Sequence, residues 1–244
     1  MEGDSNRLAR SAGYAVSKRP GGTSFNPLLI FGGVGLGKTH LANAIGINVK
    51  QAFPEKTVLY ISAEKFTQQY VDSVKKNNRN DFIHFYQLID VLIIDDVQFF
   101  SGKSGTQDVF FHIFNHLHQN GKQVVLTSDK APVDMQEIEQ RLLSRFKWGL
   151  SAELQTPDYE TRISIIKNKL ARDGVEMEDD IIYYVAKHIK TNIRELEGAI
   201  ISLMAQSSFN KKQITLELAK VIVEKFVKNT KKEISIDQIQ KVVS

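Results

Sequence analysis

The 244-residue sequence predicts an α/β fold in which a parallel five-stranded sheet, covered by helices, is followed by a small α-helical domain. Short apolar runs alternate with helical patterns as far as residue 150, and this alternation is typical of parallel sheets. Beyond residue 156 only helical patterns follow. We therefore predict a first domain over 1–155, a helical domain over 156–228, and a linker with the first helix of a further part over 229–244.

Composition narrows the class of protein. Hydrophobic residues make up 42% of the chain, which is enough for a substantial core. The chain has no cysteine, which excludes disulfides and thiolate metal sites and fits a reducing compartment. Because no long apolar run and no signal-peptide pattern occur, we expect a soluble cytoplasmic protein without a membrane span. The net charge of +4 and the pI near 9.0 mildly favour a polyanionic partner.

A helix is predicted over 4–18, ahead of the sheet. Asp4 or Ser5 would cap its start, and apolar residues at helical spacing form one stripe. That stripe consists of Leu8, Ala12, Ala15 and Val16. The segment 19–22, with one proline and two glycines, ends the helix.

The central motif is the glycine-rich segment 32–39, which reads G-x-x-x-x-G-K-T, between a predicted strand at 28–31 and a helical pattern at 38–49. Such glycines let backbone N–H groups curl around a phosphate, and the helix N-terminus adds partial positive charge. Lys38 opposes the helix dipole, which a bound phosphate would explain, and Thr39 offers a hydroxyl to Mg²⁺. The alternative is a chance glycine-rich turn before a helix.

The next elements continue the alternation of strands and helices. A strand is predicted over 57–61, and Ser62 would cap a helix that carries Phe66, Tyr70 and Val74. Further on we predict helices over 81–88 and 106–118, strands over 91–94 and 123–126, and a flexible loop over 101–105.

The remaining elements complete the sheet and form the helical domain. Pro132 is predicted to open a helix that carries Arg141 and Arg145, and a last short strand covers 148–150. The helices predicted for the second domain cover 158–170, 179–189, 192–207 and 215–227, and another covers 236–243.

Asp95 and Asp96 end the apolar strand at 91–94, as in a Walker B motif. Asp95 can hold Mg²⁺ opposite Thr39, and Asp96 can orient or deprotonate an attacking water. Two adjacent carboxylates repel each other, so a bound cation would compensate them; the alternative is a solvated strand end. Ligands of parallel sheets bind beyond the carboxyl ends of strands, where residues 127–129 should also lie.

Three arginines are candidates for contact with phosphate, since a guanidinium can bind two oxygens with its planar fork. Arg141 and Arg145 lie four residues apart on one helix face. They could enter the site of a neighbouring copy as arginine fingers, or form surface salt bridges with Glu137 or Glu139.

Arg194 lies in the first turn of a helix that Asn192 caps and Glu195 closes as a capping box. Because it opposes the helix dipole there, either Glu195 or Glu197 neutralises it or it faces a phosphate.

Two other patterns are interpreted as structural. His112 and His116 share a helix face, but without an H-E-x-x-H pattern we interpret them as structural or surface histidines. The aromatic residues of the same helix are expected in the core rather than in a base-stacking platform; they are Phe110, Phe111 and Phe114.

Together these motifs resemble the DnaA family of bacterial chromosomal replication initiators. The segments that carry the resemblance are 26–41, 94–99, 126–129, 141–150 and 192–199, and the similarity extends from residue 3 to about residue 240. The resemblance implies an AAA+ P-loop fold with a helical lid, ATP or ADP and Mg²⁺ as ligands, and slow ATP hydrolysis used as a switch.

The resemblance also implies roles for single residues. Asp129 and Arg194 would be the two sensor residues, Arg145 the trans-acting arginine finger, and Arg141 a second arginine that supports assembly. The residues with expected catalytic roles are Asp96, Lys38, Arg145, Arg194 and Asp129. The residues expected to bind the nucleotide are Asn6, Gly33, Val34, Gly35, Leu36, Gly37, Lys38, Thr39, His40, Asp95 and Arg194, with Thr39 and Asp95 on Mg²⁺.

The family carries a two-helix insertion, here residues 63–88, that steers self-assembly and lines a pore for single-stranded DNA. Val71 and Lys103 match that surface, whereas Gly105 stands where some relatives have arginine. The resemblance implies ATP-dependent helical self-assembly on single-stranded and origin DNA that promotes duplex opening. In the full-length protein it also implies contact with the replicative helicase machinery.

The family's N-terminal domain and helix-turn-helix domain have no counterpart in this sequence. We therefore expect an excised part of a longer protein, without sequence-specific binding to duplex DNA. The alternative function is an AAA+ adaptor or helicase loader that acts through partner binding. The insertion at 63–88 and the segment after residue 228 favour the initiator.

Overall fold

Five strands form one parallel sheet in the computed structural model, which describes residues 3–210 and 214–227. The strands are β1 (Leu28–Phe31), β2 (Val58–Ser62), β3 (Val91–Asp95), β4 (Gln123–Ser128) and β5 (Leu150–Glu153). Their order across the sheet is β2-β3-β4-β1-β5, and each neighbouring pair is parallel. The predicted α/β class with a parallel five-stranded sheet is confirmed.

Helices cover the sheet on both faces within the first compact unit, Asn6–Gln155. They are α1 (Arg7–Lys18), α2 (Lys38–Ala52), α3 (Ala63–Lys75), α4 (Arg79–Gln87), α5 (Ser104–Gln119) and α6 (Gln140–Phe146). Consecutive strand residues point to opposite faces, so Leu92 packs with α3 to α6 while Ile93 packs with α1 and α2. Phe110 and Phe114 are fully buried in the first of these clusters, as predicted for core residues, whereas Phe111 packs against it and is only partly buried.

The segment after Pro132 differs from the prediction of a single helix. A short 3₁₀ turn covers Pro132–Asp134, and α6 begins only at Gln140. Between them Glu137 adopts a left-handed φ of 56°. The Gln107 side chain donates to the Glu137 carbonyl at 2.9 Å and accepts from the Glu139 N–H at 2.8 Å. Hydrogen bonds from α5 therefore satisfy backbone groups that a continuous helix would have satisfied itself.

The last strand also differs, because β5 covers Leu150–Glu153 rather than 148–150. Gly149 precedes the strand, and a Cβ there would lie 2.1 Å from the Pro27 carbonyl oxygen. The close approach fits only glycine and sets the point at which β5 begins to pair with β1.

The first helix begins later than predicted. α1 begins at Arg7 with Asn6 at its N-cap, rather than Asp4 or Ser5. Residues 4–6 form a turn ahead of α1, and residues 3–5 belong to the second compact unit.

The second unit comprises residues 156–210 and 214–227 together with residues 3–5. Its helices are α7 (Tyr159–Asp173), α8 (Asp179–His188), α9 (Ile193–Asn210) and α10 (residues 216–227). Asp158 caps α7 by accepting the Thr161 N–H at 2.7 Å. The helix predicted over 236–243 lies outside the described residues. Among the residues that are described, no helix is both long and apolar enough to cross a membrane.

Candidate functional site

The glycine-rich loop connects β1 to α2, and two of its glycines are required by geometry. Gly32 has a φ of 146°, and a Cβ there would lie 2.2 Å from the Leu154 carbonyl oxygen. Gly37 is the N-cap of α2 and has a left-handed φ of 97°. The loop therefore curls directly into a helix N-terminus, whose first N–H groups have no acceptor within the helix.

Lys38 is buried, with 5% of its side chain exposed, although it carries a charge. Its Nζ donates to the carbonyl oxygens of Gly32 at 2.8 Å and Gly33 at 2.9 Å. It also forms an ion pair with Asp129 Oδ1 at 2.6 Å. The lysine thus lies inside the loop, joined to the carboxylate that follows β4.

Asp95 is the last residue of β3 and is 4% exposed. Its Oδ2 accepts hydroxyl hydrogen bonds from Thr39 at 2.8 Å and from Tyr60 at 2.5 Å, and its Oδ1 accepts one from Thr127. Burial, together with the bond to Asp95, raises the pKa of Tyr60, so this hydroxyl stays protonated and donates. Three O–H donors compensate the buried carboxylate.

Asp96 follows in a left-handed conformation, with φ 60° and ψ 52°. Its Oδ1 accepts a hydrogen bond from Gln98 Nε2 at 3.1 Å, and the same amide group donates to Asp129 Oδ2 at 3.1 Å. Burial raises the pKa of the Asp96 carboxyl, and the charges of Asp95 and Asp129 act in the same direction. The hydrogen bond from Gln98 and the charge of Lys38 oppose that rise.

Thr127 connects the ends of β3 and β4. Its hydroxyl donates to Asp95 and accepts the Asp96 N–H at 2.9 Å, although Thr127 itself is fully buried. The side chains that the sequence predicted at the carboxyl ends of three strands therefore lie in one hydrogen-bonded group.

The donor set at this edge suits Mg²⁺ bound together with phosphate. Within the described residues no three histidine, aspartate or glutamate side chains cluster into a complete metal site. Thr39 and Asp95 instead offer one hydroxyl and one carboxylate, 2.8 Å apart. Mg²⁺ is commonly held by one or two protein oxygens, with water and substrate phosphates completing its octahedron.

Two residues of this group were not predicted from the sequence. Tyr60 reaches Asp95 because β2 pairs with β3, with Ser62 opposite Asp95, and nothing in the local sequence specifies that pairing. Gln98 reaches Asp96 and Asp129 because a 3₁₀ turn, Val97–Phe100, follows the strand. Its position two residues after Asp96 was the available signal.

Other predicted nucleotide-site residues lie around the loop or in the second unit. Val34 is 57% exposed, and His40 is exposed in the first turn of α2. Asn6 is the N-cap residue of α1, which packs on α2. Arg194 belongs to the second unit, where the predicted capping box forms: Asn192 accepts the Glu195 N–H at 2.8 Å and donates to its carboxylate at 3.1 Å.

Arg194 itself is exposed, and no carboxylate among residues 3–210 and 214–227 pairs with it. The expected alternative of neutralisation by Glu195 or Glu197 is therefore not what the structure shows.

Arg141 and Arg145 lie outside the group around Asp95. Arg141 donates to Glu139 at 2.6 Å and to Asp108 at 3.0 Å, so it forms the surface salt bridge that we considered as an alternative. Arg145 donates to the neutral side chain of Asn115 at 2.8 Å.

The predicted DNA-contact residues lie near the insertion. Val71 on α3 is 41% exposed, and Lys103 is the N-cap residue of α5. The ring of Tyr70 lies 3.5 Å from the position of a Cβ on Gly105, so the insertion and the start of α5 meet there. Of His112 and His116 on α5, which we interpreted as structural or surface histidines, the first lies 3.5 Å from Asp108.

A glycine loop between β1 and α2, two carboxylates after β3 and a polar end of β4, all at one edge of a parallel sheet, define a P-loop protein of the AAA+ type. The family described as the bacterial DnaA ATPase domain matches residues 1–153. The chain belongs to the bacterial DnaA family, as its motifs predicted.

The similar proteins agree with this assignment. The chromosomal replication initiator protein DnaA of Flavobacterium psychrophilum is 83% identical over 244 residues, which is 100% of this chain and 51% of that protein. Domain III of Thermotoga maritima DnaA has a TM-score of 0.89 at 43% identity, covering 93% of this chain and 94% of that one. A replication initiator DnaA bound to AMPPCP and single-stranded DNA has a TM-score of 0.78 at 40% identity, covering 84% and 62%. The chain spans about half the length of the curated relatives it matches.

Proposed function

We propose that this chain is the ATP-binding and slowly ATP-hydrolysing module of a replication initiator, used as a switch for assembly on origin DNA. The observation that carries the proposal is the continuous polar network at one sheet edge. In this network Lys38 pairs with Asp129, and the Gln98 amide donates to both Asp129 and Asp96. The Thr127 hydroxyl then accepts from the Asp96 N–H and donates to Asp95. No structural requirement of the sheet calls for so many charged groups at one edge.

The loop would hold the phosphates of ATP through its backbone N–H groups and the N-terminus of α2. Lys38 would exchange its two bonds to loop carbonyl oxygens for bonds to phosphate oxygens. Residues 33–40 and Asn6 would line the rest of the nucleotide pocket. The DnaA structure bound to AMPPCP supports nucleotide binding by this family.

Thr39 and Asp95 would hold Mg²⁺, which when bound offsets the negative charge of the phosphates. Tyr60 and Thr127 fix the Asp95 carboxylate for this task. Asp96 would take a proton from the water that attacks the γ-phosphorus, while the bond to the β-phosphate oxygen breaks and ADP and phosphate leave. Asp129 would sense the γ-phosphate through Lys38.

The proposed domains are a base over 1–155, a lid over 156–228 and a linker with the start of a further helix over 229–244. Arg194 of the lid would contact the γ-phosphate. Arg145 of a neighbouring copy would complete the site, with Arg141 supporting the interface, so that hydrolysis depends on assembly. We place the protein in the cytoplasm, where it would act with the replicative helicase machinery.

Single-stranded DNA is the proposed partner of the surface that carries Val71 and Lys103. The support is the exposure of Val71, the meeting of the insertion with the start of α5, and a DnaA relative whose structure contains single-stranded DNA.

Assembly on a single-stranded oligonucleotide tests the switch. With ATP we expect the unsubstituted chain to form oligomers that ADP does not support, and we expect Arg145→Ala to lose them while still binding ATP. Size-exclusion chromatography with light scattering would measure the oligomers. Lys147→Ala, which changes an exposed cation two residues away, is the control. Assembly that is indifferent both to nucleotide and to Arg145 would exclude this mechanism and favour a partner-binding adaptor or loader.

A further inference from the structure

Three residues of α5 form one stripe that meets the end of α6. Phe111, Asn115 and His118 follow each other at steps of four and three residues, so they share a helix face. Asn115 accepts the Nε–H of Arg145 at 2.8 Å. The Arg145 guanidinium carbon lies 5.5 Å from the centre of the Phe111 ring and 4.8 Å from that of Trp148. We refer to Phe111, Asn115 and Trp148 as the Arg145 clamp.

Trp148 is anchored although 56% of it is exposed. Its backbone N–H donates to the Arg145 carbonyl oxygen at 3.2 Å, which turns the chain back over Arg145 at the end of α6. Its indole packs on His118, with the ring centres 4.4 Å apart, and His118 stacks in turn on the fully buried Phe114. A column of rings therefore joins Arg145 to the core, and it fixes the indole that covers the guanidinium.

The clamp differs from the surroundings of Arg141 in charge. Arg141 also lies over the Phe111 ring, at 4.8 Å, but it is bound by the carboxylates of Glu139 and Asp108, which offset its charge. Arg145 is bound by an amide and two aromatic rings, all of them neutral. Within the described part of the chain, Nε is the one guanidinium nitrogen of Arg145 with a protein acceptor. Its positive charge and its two terminal nitrogens can therefore bind an anion that does not belong to this copy of the chain.

We propose that Asn115 and Trp148 are positioning residues that present Arg145, as an uncompensated cation in a fixed orientation, to the γ-phosphate bound by a neighbouring copy. This inference rests on the proposed function, in which Arg145 acts in trans. A long side chain already held in one conformation loses less conformational entropy when it binds its anion. The clamp therefore favours binding of the anion by Arg145, and because the clamp is neutral it does not compete with the anion for the positive charge.

Fluorescence tests whether the clamp exists, because Trp148 is the single tryptophan of the chain. We expect Arg145→Ala and Asn115→Ala to shift its emission to longer wavelength and to make it more accessible to a neutral quencher, acrylamide. Tyr14→Leu is the matched control, since Tyr14 is 64% exposed and lies under Lys18 at 5.4 Å in a cation–π pair on α1. If the emission is unchanged in both Arg145→Ala and Asn115→Ala, the inference is wrong.

Assembly on single-stranded DNA with ATP tests what the clamp does. We expect Trp148→Leu and Asn115→Ala each to raise the protein concentration for half-assembly about fivefold, while ATP binding by the single copy is unchanged. Trp148→Phe, which keeps an aromatic face, should restore most of the assembly. At protein concentrations raised until the Arg145→Ala variant assembles to a measurable extent, adding Trp148→Leu to it should have no further effect.

The outcomes separate this inference from the proposed function. If Arg145→Ala abolishes assembly but Trp148→Leu and Asn115→Ala assemble normally, Arg145 acts in trans without help from the clamp, and the inference is wrong. A further effect of Trp148→Leu when Arg145 is already absent would also overturn it, because Trp148 would then act independently. If the unsubstituted chain does not assemble, or Arg145→Ala assembles normally, the proposed function fails and the clamp loses its role.

Discussion

Lys38→Ala is expected to weaken ATP binding at least about 100-fold, or roughly 3 kcal/mol, since charge-assisted bonds to phosphate are among the strongest hydrogen bonds. Lys38 is the cation buried within the glycine loop, and its Nζ lies within 3 Å of two loop carbonyl oxygens and of Asp129. Isothermal titration calorimetry with ATP and Mg²⁺ would measure the loss.

The substitution also leaves Asp129 without its ion-pair partner, so folding must be checked by thermal unfolding. Lys122→Ala is the matched control: Lys122 also pairs with an aspartate, Asp90, and donates to a main-chain carbonyl, that of Gln87, but lies outside the loop. We expect it to bind ATP normally. If a folded Lys38→Ala protein binds ATP as the unsubstituted chain does, the phosphate cradle is wrongly assigned.

Asp96→Asn is expected to reduce ATP hydrolysis at least about 100-fold while ATP binding changes little, because the lost group is the proposed proton acceptor. Asparagine keeps an oxygen that can accept from Gln98 Nε2. Single-turnover measurement of ADP formation, alongside calorimetric ATP binding, separates the two effects. Asp134→Asn, an exposed aspartate in the 3₁₀ turn after Pro132, should hydrolyse normally.

The raised pKa of Asp96 gives this prediction a pH dependence. The carboxylate acts as a base only above its pKa, so hydrolysis should fall on acidification at a higher pH than an ordinary aspartate allows. The stability of the folded protein depends on pH in the opposite sense to hydrolysis. When the pKa of a carboxyl is higher in the folded state than in the unfolded state, its contribution to the free energy of unfolding is lost as the pH rises through the folded-state pKa. Asp96→Asn should therefore unfold at the same or higher temperature at neutral pH. If Asp96→Asn hydrolyses ATP as fast as the unsubstituted chain, Asp96 is not the proton acceptor.

The sequence predicted most of the sheet and the principal site residues because their signals are local. Apolar runs specified β1, β3 and β4, and parallel pairing then places their carboxyl ends together. Thr39 lies just beyond β1 and Asp95 at the end of β3, so their hydrogen bond of 2.8 Å is what that topology leads one to expect.

The remaining features depend on contacts between distant segments. Gln107 interrupts the helix predicted after Pro132 by bonding to residues 30 and 32 positions away. Tyr60 reaches Asp95 across 35 residues, through a strand pairing that no local pattern specifies. The Arg145 clamp likewise needs α5 and α6 to be docked, so Asn115 could not be assigned to Arg145 from the sequence.

Nucleotide titration of the unsubstituted chain tests the central claim, that the loop between β1 and α2 binds ATP through its phosphates. The measurement compares ATP, ADP and AMP by calorimetry, with Mg²⁺ and with EDTA. We predict that ATP and ADP bind at least about 100-fold more tightly than AMP, because the loop and Lys38 engage the β-phosphate that AMP lacks. We also predict that EDTA weakens ATP binding, since Thr39 and Asp95 would then have no Mg²⁺ to hold. Equal affinity for AMP and ATP, or no nucleotide binding, would contradict the account.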